Sequence, residues 1–232
     1  MHRVHIAEAI SANAARFSHA VRRSINGRVL NAGQTCIAPD YVLLPKDAIP
    51  RFIAEARDIL KTQYPDGAAC DDFTSVATDR PSPGCGNSSW RPLRRAQKLP
   101  SQWRCMAPAR DGTRKLPLTV ITACSNDVRV MQQDLFGPVL PLVAAESLDA
   151  AIAHVNDRPH PLALYLFSDS GAQQQHVLQS TLAGGVSVNE TLMHIAQDGL
   201  PFGGVGPSGM GHYHGKFGFD TCCCCAPESE NR

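Results

Sequence analysis

Apolar positions recur along this chain in two alternating rhythms. Ile49, Phe52, Ile53, Ala56, Ile59 and Leu60 follow the i, i+3, i+4, i+7 spacing of one helix face, which predicts an amphipathic helix. Ile6, Ile10, Ala14, Phe17, Val21 and Ile25 keep a similar spacing and end near the basic pair Arg22-Arg23, which suits the negative end of a helix dipole. A helix is therefore expected over residues 6–25. Between these two segments, Tyr41 to Leu44 is a short continuous apolar run of the kind buried in a sheet.

The second half repeats the alternation. Leu116 to Ala123 and Val139 to Val143 read as strands, and Leu162 to Phe167 is an unbroken apolar run that fits a strand covered on both faces. Ser147 stands where an N-cap should, ahead of Leu148, Ala151, Ile152 and Val155 on one helical face. A helix over Ala172 to Leu182 is expected to end before Gly184-Gly185, with the strand "GVSVN" following. Repeated β and α units of this length predict an α/β layer fold, with helices packed on a largely parallel sheet.

Two stretches break the rhythm. Residues 81–113 hold five prolines and both tryptophans without a usable period, and a loop that long is uncommon in a compact domain. Residues 222–232, "CCCCAPESENR", carry no element signature. Disorder is one reading of both, although tryptophan and cysteine enrichment is not its usual composition, and residues 222–232 are expected to be a disordered tail outside the domain. The abrupt onset of both stretches reads as a change of reading frame.

Composition narrows the function classes. A hydrophobic content of 43%, a charged content of 19% and a formal net charge of +1 point to neither nucleic acid nor an anionic membrane as partner. No apolar run approaches the roughly 18 residues of a membrane-spanning helix. The first residues lack the apolar core of a signal peptide, so a cytoplasmic protein is expected. Of the nine cysteines, Cys222 to Cys225 are consecutive and the others are scattered, which fits neither a disulfide framework nor the spaced pairs of a zinc site. No metal is expected. His194, His212 and His214 read as structural, and Asn189 as a loop anchor.

One cysteine is placed differently. In "NAGQTCIAPDYVLL", Cys36 follows a glycine-containing turn and precedes a strand, a suitable place to present a nucleophile; a buried inert cysteine is the alternative. That segment resembles the catalytic-cysteine segment of the aldehyde dehydrogenases. "VMQQDLFGPVLPLV" (130–143) resembles their cofactor-contacting E-x-F-G-P segment, and "VNETLMHIAQDGLPFGGVGPSGMGHYHGKFGFDT" (188–221) their C-terminal glycine-rich segment, in the form closest to the class-3 and coniferyl-aldehyde-dehydrogenase-like branch. Three motifs stand in the family's order. The resemblance covers residues 6–80 and 114–221, and residues 1–221 are expected to form one catalytic domain.

The resemblance implies a three-layer αβα catalytic domain with a largely parallel sheet, lacking the N-terminal dinucleotide-binding domain. It implies that a Cys36 thiolate adds to an aldehyde carbon, that NAD or NADP takes the hydride, and that a water activated by a carboxylate hydrolyses the thioester. It makes Asp134 the counterpart of a ribose-binding glutamate, one methylene shorter. Phe136 would lie by the nicotinamide ribose, and Phe202 would be a substrate-pocket aromatic. "PFGGVGPSG" is glycine-rich, but it follows no strand-turn-helix pattern and is not expected to bind phosphate. The family's general base would fall at Met1 to His5, where its motif is missing, and its oxyanion asparagine would lie further upstream. A truncated, inactive product is therefore expected. The alternatives are a cofactor-independent thiol esterase at Cys36, or a non-enzymatic fragment that associates with itself or with full-length relatives.

Overall fold

Seven strands form one sheet in the order β3-β4-β5-β2-β1-β6-β7 in the computed structural model, which describes residues 4–8, 14–77, 102–109, 113–122, 129–132 and 136–223. In chain order the elements are β1 (Val4–Glu8), α1 (Ala14–Val29), β2 (Tyr41–Leu44), α2 (Ile49–Gln63), β3 (Gln102–Arg104), β4 (Thr119–Ile121), α3 (Arg129–Gln132), β5 (Val139–Ala144), α4 (Leu148–Asn156), β6 (Ala163–Phe167), α5 (Gly171–Ser180), β7 (Gly185–Val188), β8 (Phe202–Gly203), β9 (His212–Tyr213) and α6 (Gly215–Cys222). All the pairings in the large sheet are parallel except that of the edge strand β3 with β4. The fold is α/β, as the alternating rhythms predict.

The apolar runs of the central strands divide between two faces. Val42 and Leu44 of β2, with Tyr165 and Phe167 of β6, join a core built on Phe17, Val21 and Ile25 of α1 and Phe52, Ala56 and Leu60 of α2. Tyr41, Leu43, Leu164 and Leu166 point the other way, onto Ala151, Ile152 and Val155 of α4 and Val177 of α5. Side chains alternate along a strand, so a run that is apolar throughout needs cover on both sides, and the helices supply it. Each large side chain buried in this way contributes about 1.5 to 3 kcal/mol.

Local signals place the helix starts. The Ser147 hydroxyl accepts from the Ala150 amide at 3.1 Å, and the Ser170 hydroxyl accepts from the Gln173 amide at 3.4 Å. The second cap puts the start of α5 at Gly171, one residue before the expected Ala172, and the helix stops at Ser180 rather than Leu182.

The expected helix over residues 6–25 is corrected. Residues 4–8 form a strand between β2 and β6, and the helix begins at Ala14 and runs on to Val29. Ile6 fits a helical face and a strand equally well, and the parallel partners on both sides decide for the strand. Within residues 81–113, Gln102–Arg104 add an edge strand, and Cys105 and Met106 behind it are buried in the core. Cys222 closes the last turn of α6. The strand expected over Leu116 to Ala123 is confined to Thr119–Ile121, and Ala123 lies outside the described residues.

Candidate active site

Cys36 sits on the connection from α1 to β2, and four separate devices shape that connection. Asn31, Ala32 and Gly33 all take positive φ, at 50°, 53° and 72°, which turns the chain sharply after the helix. Gly33 is required there twice over. Its φ favours glycine, and a Cβ would lie 2.6 Å from the Gly137 carbonyl oxygen. The cysteine turn and the "FGP" turn therefore touch backbone to backbone.

Gln34 is the second device. Its Nε2 donates to the carbonyls of Asn31 at 3.0 Å and Ser75 at 3.2 Å, while its Oε1 accepts from the Ala77 amide at 2.7 Å. The third is Arg28, which is wholly buried. Its guanidinium donates to the Pro39 carbonyl at 2.9 Å and lies 3.9 Å from the Asp40 carboxylate. Burial lowers the pKa of Arg28 to about 10, with Asp40 acting against the shift, so it stays charged at neutral pH and ties the end of α1 to the exit of the cysteine turn.

Cys36 itself occupies the tight turn Thr35–Ala38, closed by the Ala38 amide on the Thr35 carbonyl at 3.0 Å. Its thiol is free and half-buried. The fourth device holds this turn from below: the Tyr165 hydroxyl, from the middle of β6, donates to the Ile37 carbonyl at 2.8 Å.

An aromatic wall stands beside the same core. Phe202 is buried and stacks on His194 at 5.6 Å and on His214 at 5.7 Å, with Tyr213 edge-on at 5.3 Å. His194 lies 5.9 Å from the Tyr165 ring, and its Nδ1 is within 3.1 Å of the Ser187 hydroxyl. Burial lowers the pKa of His194, which keeps it neutral against Phe202. Phe202 belongs to the core cluster against which Cys36, Leu192 and Ile195 also pack.

Phe136 is 41% exposed and adjoins the Gly137 that buttresses Gly33. Asp134 lies outside the described residues. Asn189 is a two-sided anchor: its amide group bonds the backbone N–H and the carbonyl of Ser168 at 2.9 and 3.0 Å. The glycine-rich segment is filled by its own backbone. A Cβ on Gly184 would collide with the Gly203 carbonyl, one on Gly203 with the Gly211 carbonyl, and one on Gly204 with Ser208. Its glycines serve close packing and leave no open cradle for a pyrophosphate within this segment. Clefts of about 330 and 700 Å³ share Pro65 and Ala107 in their linings, the smaller one also reaching Arg57 and Lys61 of α2, and neither is lined by Cys36.

Gln34, Arg28 and Tyr165 were not singled out by the sequence. Gln34 stands inside the cysteine motif, but Tyr165 looked like one more apolar strand position.

Comparison with known proteins agrees with this geometry. Residues 7–225 match the model of the aldehyde dehydrogenase family. A probable coniferyl aldehyde dehydrogenase of Pseudomonas aeruginosa is 42% identical over 215 residues, covering 92% of this chain and 44% of that protein. Aldehyde dehydrogenase family 3 member A2 of Rattus norvegicus is 37% identical over 208 residues, covering 87% of this chain and 40% of that protein. The chain thus spans less than half the length of these relatives. A substrate-bound Staphylococcus aureus AldH structure superimposes with a TM-score of 0.80 at 33% identity, over 95% of this chain and 46% of the other. An indole-3-acetaldehyde dehydrogenase in complex with NAD+ shares the fold, with a TM-score of 0.74 at 20% identity. By the extent of the family match and these identities, the chain belongs to the aldehyde dehydrogenase family.

Proposed function

We propose that this chain supplies the thiol-bearing half of an NAD(P)-dependent aldehyde dehydrogenase, with Cys36 as the nucleophile and Phe202 in the wall of the aldehyde pocket. The observation that carries the reading is the Cys36 turn itself. A half-buried free thiol is held by four independent devices, three of them long-range, where an inert core cysteine needs none. In the reaction the Cys36 sulfur forms a bond to the aldehyde carbon and the carbonyl electron pair moves to oxygen. A nicotinamide cofactor, when bound, would supply the hydride acceptor that turns this adduct into a thioester, and water would supply the oxygen that releases the acid. Phe136 and Asp134 are assigned to the ribose side of the cofactor, Phe136 on its exposure and place beside Gly137, and Asp134 on the resemblance alone.

By the resemblance, the carboxylate base and the asparagine that receives the oxyanion belong to segments outside the matched motifs. Loss of a single oxyanion donor costs on the order of a hundredfold in rate, so the chain alone is expected to acylate but not to turn over. A nitrophenyl ester should acylate the purified chain at close to one equivalent, with the label on the peptide containing Cys36, and Cys36→Ser should remove it. Labelling that persists in Cys36→Ser, or that maps to Cys70, would refute the assignment. Aldehyde-dependent NADH or NADPH formation that disappears in Cys36→Ser would overturn the expectation that the chain alone does not turn over.

A further inference from the structure

Tyr165 has a hydroxyl that the packing of the sheet does not require. A strand position buried on both faces is usually filled by an aliphatic or phenylalanine side chain, and a phenol placed there must find a hydrogen-bond partner for its O–H. Tyr165 is wholly buried, and its partner is the carbonyl of Ile37, 128 residues away in sequence and next to the nucleophile. We propose that Tyr165 is a positioning residue for Cys36, its hydroxyl fixing the Thr35–Ala38 turn in the conformation that presents the thiol.

The turn explains why one hydrogen bond suffices. Cys36 and Ile37 are its two central residues, and it is closed by the single bond from the Ala38 amide to the Thr35 carbonyl. The devices on its N-terminal side, Gly33 against Gly137 and Gln34 on Ser75 and Ala77, fix where the loop enters but not the orientation of the Cys36–Ile37 peptides. Arg28 holds the exit at Pro39. The Ile37 carbonyl is the point inside the turn that is gripped from the core.

Tyr165 also bridges to the aromatic wall, since its ring lies 5.9 Å from His194, which stacks on Phe202. The phenol sits between the nucleophile turn and the loop at Leu192, which itself adopts positive φ at 66°. Burial pushes the Tyr165 pKa well above the ordinary phenol value, with the Leu192 backbone amide acting against the shift and the neighbouring Cys36 thiolate adding to it. The hydroxyl therefore stays protonated at neutral pH and keeps its proton for the Ile37 carbonyl.

The inference rests on the nucleophile reading of Cys36, and the test separates the two. The 232-residue chain and its Tyr165→Phe variant are alkylated with iodoacetamide from pH 6 to 10. The rate at each cysteine is followed by peptide mass spectrometry. In the unsubstituted chain Cys36 should react faster than the half-buried Cys70; equal rates would refute the nucleophile reading and leave the clamp without a purpose. Tyr165→Phe keeps the ring and removes only the hydroxyl. The high-pH plateau of Cys36 labelling should fall about tenfold, the consequence of losing one buried hydrogen bond. The buried Cys105 serves as an internal reporter of unfolding. A fall at Cys36 with Cys105 still protected supports the proposal. An unchanged or faster Cys36 plateau overturns it, as does a rise at Cys105 in step with the change at Cys36, which would mark the hydroxyl as merely structural.

Discussion

Replacing Gly33 with alanine should unfasten the cysteine turn from the "FGP" turn, and the cost can be worked from the geometry. At φ +72° an L-residue pays about 1 to 2 kcal/mol relative to glycine. The added Cβ would meet the Gly137 carbonyl oxygen at 2.6 Å and its carbonyl carbon at 2.9 Å, both rigid backbone atoms. The two backbones must part by about 0.8 Å to regain ordinary contact, an overpacking strain of about 1 to 3 kcal/mol. Together the change should destabilise the chain by about 2 to 5 kcal/mol, read as a lower urea midpoint at constant slope in far-UV circular dichroism. Gly171→Ala is the matched control. That glycine opens α5 with nothing within 4 Å of its would-be Cβ, so the same substitution should be neutral or stabilise by up to about 1 kcal/mol. A Gly33→Ala midpoint indistinguishable from the unsubstituted chain would show that the two turns are not held in contact, and the reasoning would fail.

Two further outcomes follow from buried charge and from protonation. Arg28→Met removes the countercharge beside the buried Asp40 and the donor to the Pro39 carbonyl, so it should cost about 3 kcal/mol at pH 7; an unchanged urea midpoint would refute this. His154 has its pKa lowered from 6.5 to about 4 by burial and by Arg158, with Asp157 opposing. As pH falls through that window the unfolded chain takes up a proton that the folded chain refuses, so stability should drop with falling pH. Its half-open position limits the effect to about 1 kcal/mol. His154→Gln should flatten the urea midpoint between pH 7 and pH 4.5, and an equally steep decline in the variant would exclude His154 as the source.

The sequence showed most where a segment decides its own structure. The face of α2, the Ser147 cap and the run of β6 are local properties, and each lies where its spacing puts it. Residues 4–8 were misread because five residues hold too few apolar positions to separate a period of two from one of 3.6, and their state is set by β2 and β6. The edge strand Gln102–Arg104 escaped for the same reason, as its alternation is too short to see without β4 beside it. The turn that carries Cys36 was legible because its segment is contiguous in sequence. The groups that hold it were not: Tyr165 and Gly137 are more than a hundred residues away in sequence, and one looks like core while the other looks like a turn. Asn189 was correctly read as a loop anchor, although its partner Ser168 could not be named.

The glycine-rich segment around Phe202 has a consequence for how this protein can change. Gly184, Gly203 and Gly211 stack backbone on backbone, with Gly204 against Ser208, so almost no side-chain volume separates these layers. The ledge that carries Phe202 therefore cannot be shifted by small adjustments in its neighbours, because any added carbon collides with a carbonyl. Mutation is left with the identity of the side chains on the ledge, not with where the ledge stands. Change in this aromatic wall would then proceed by exchanging Phe202, His194 or His214 in place, in discrete steps, on a support that does not drift.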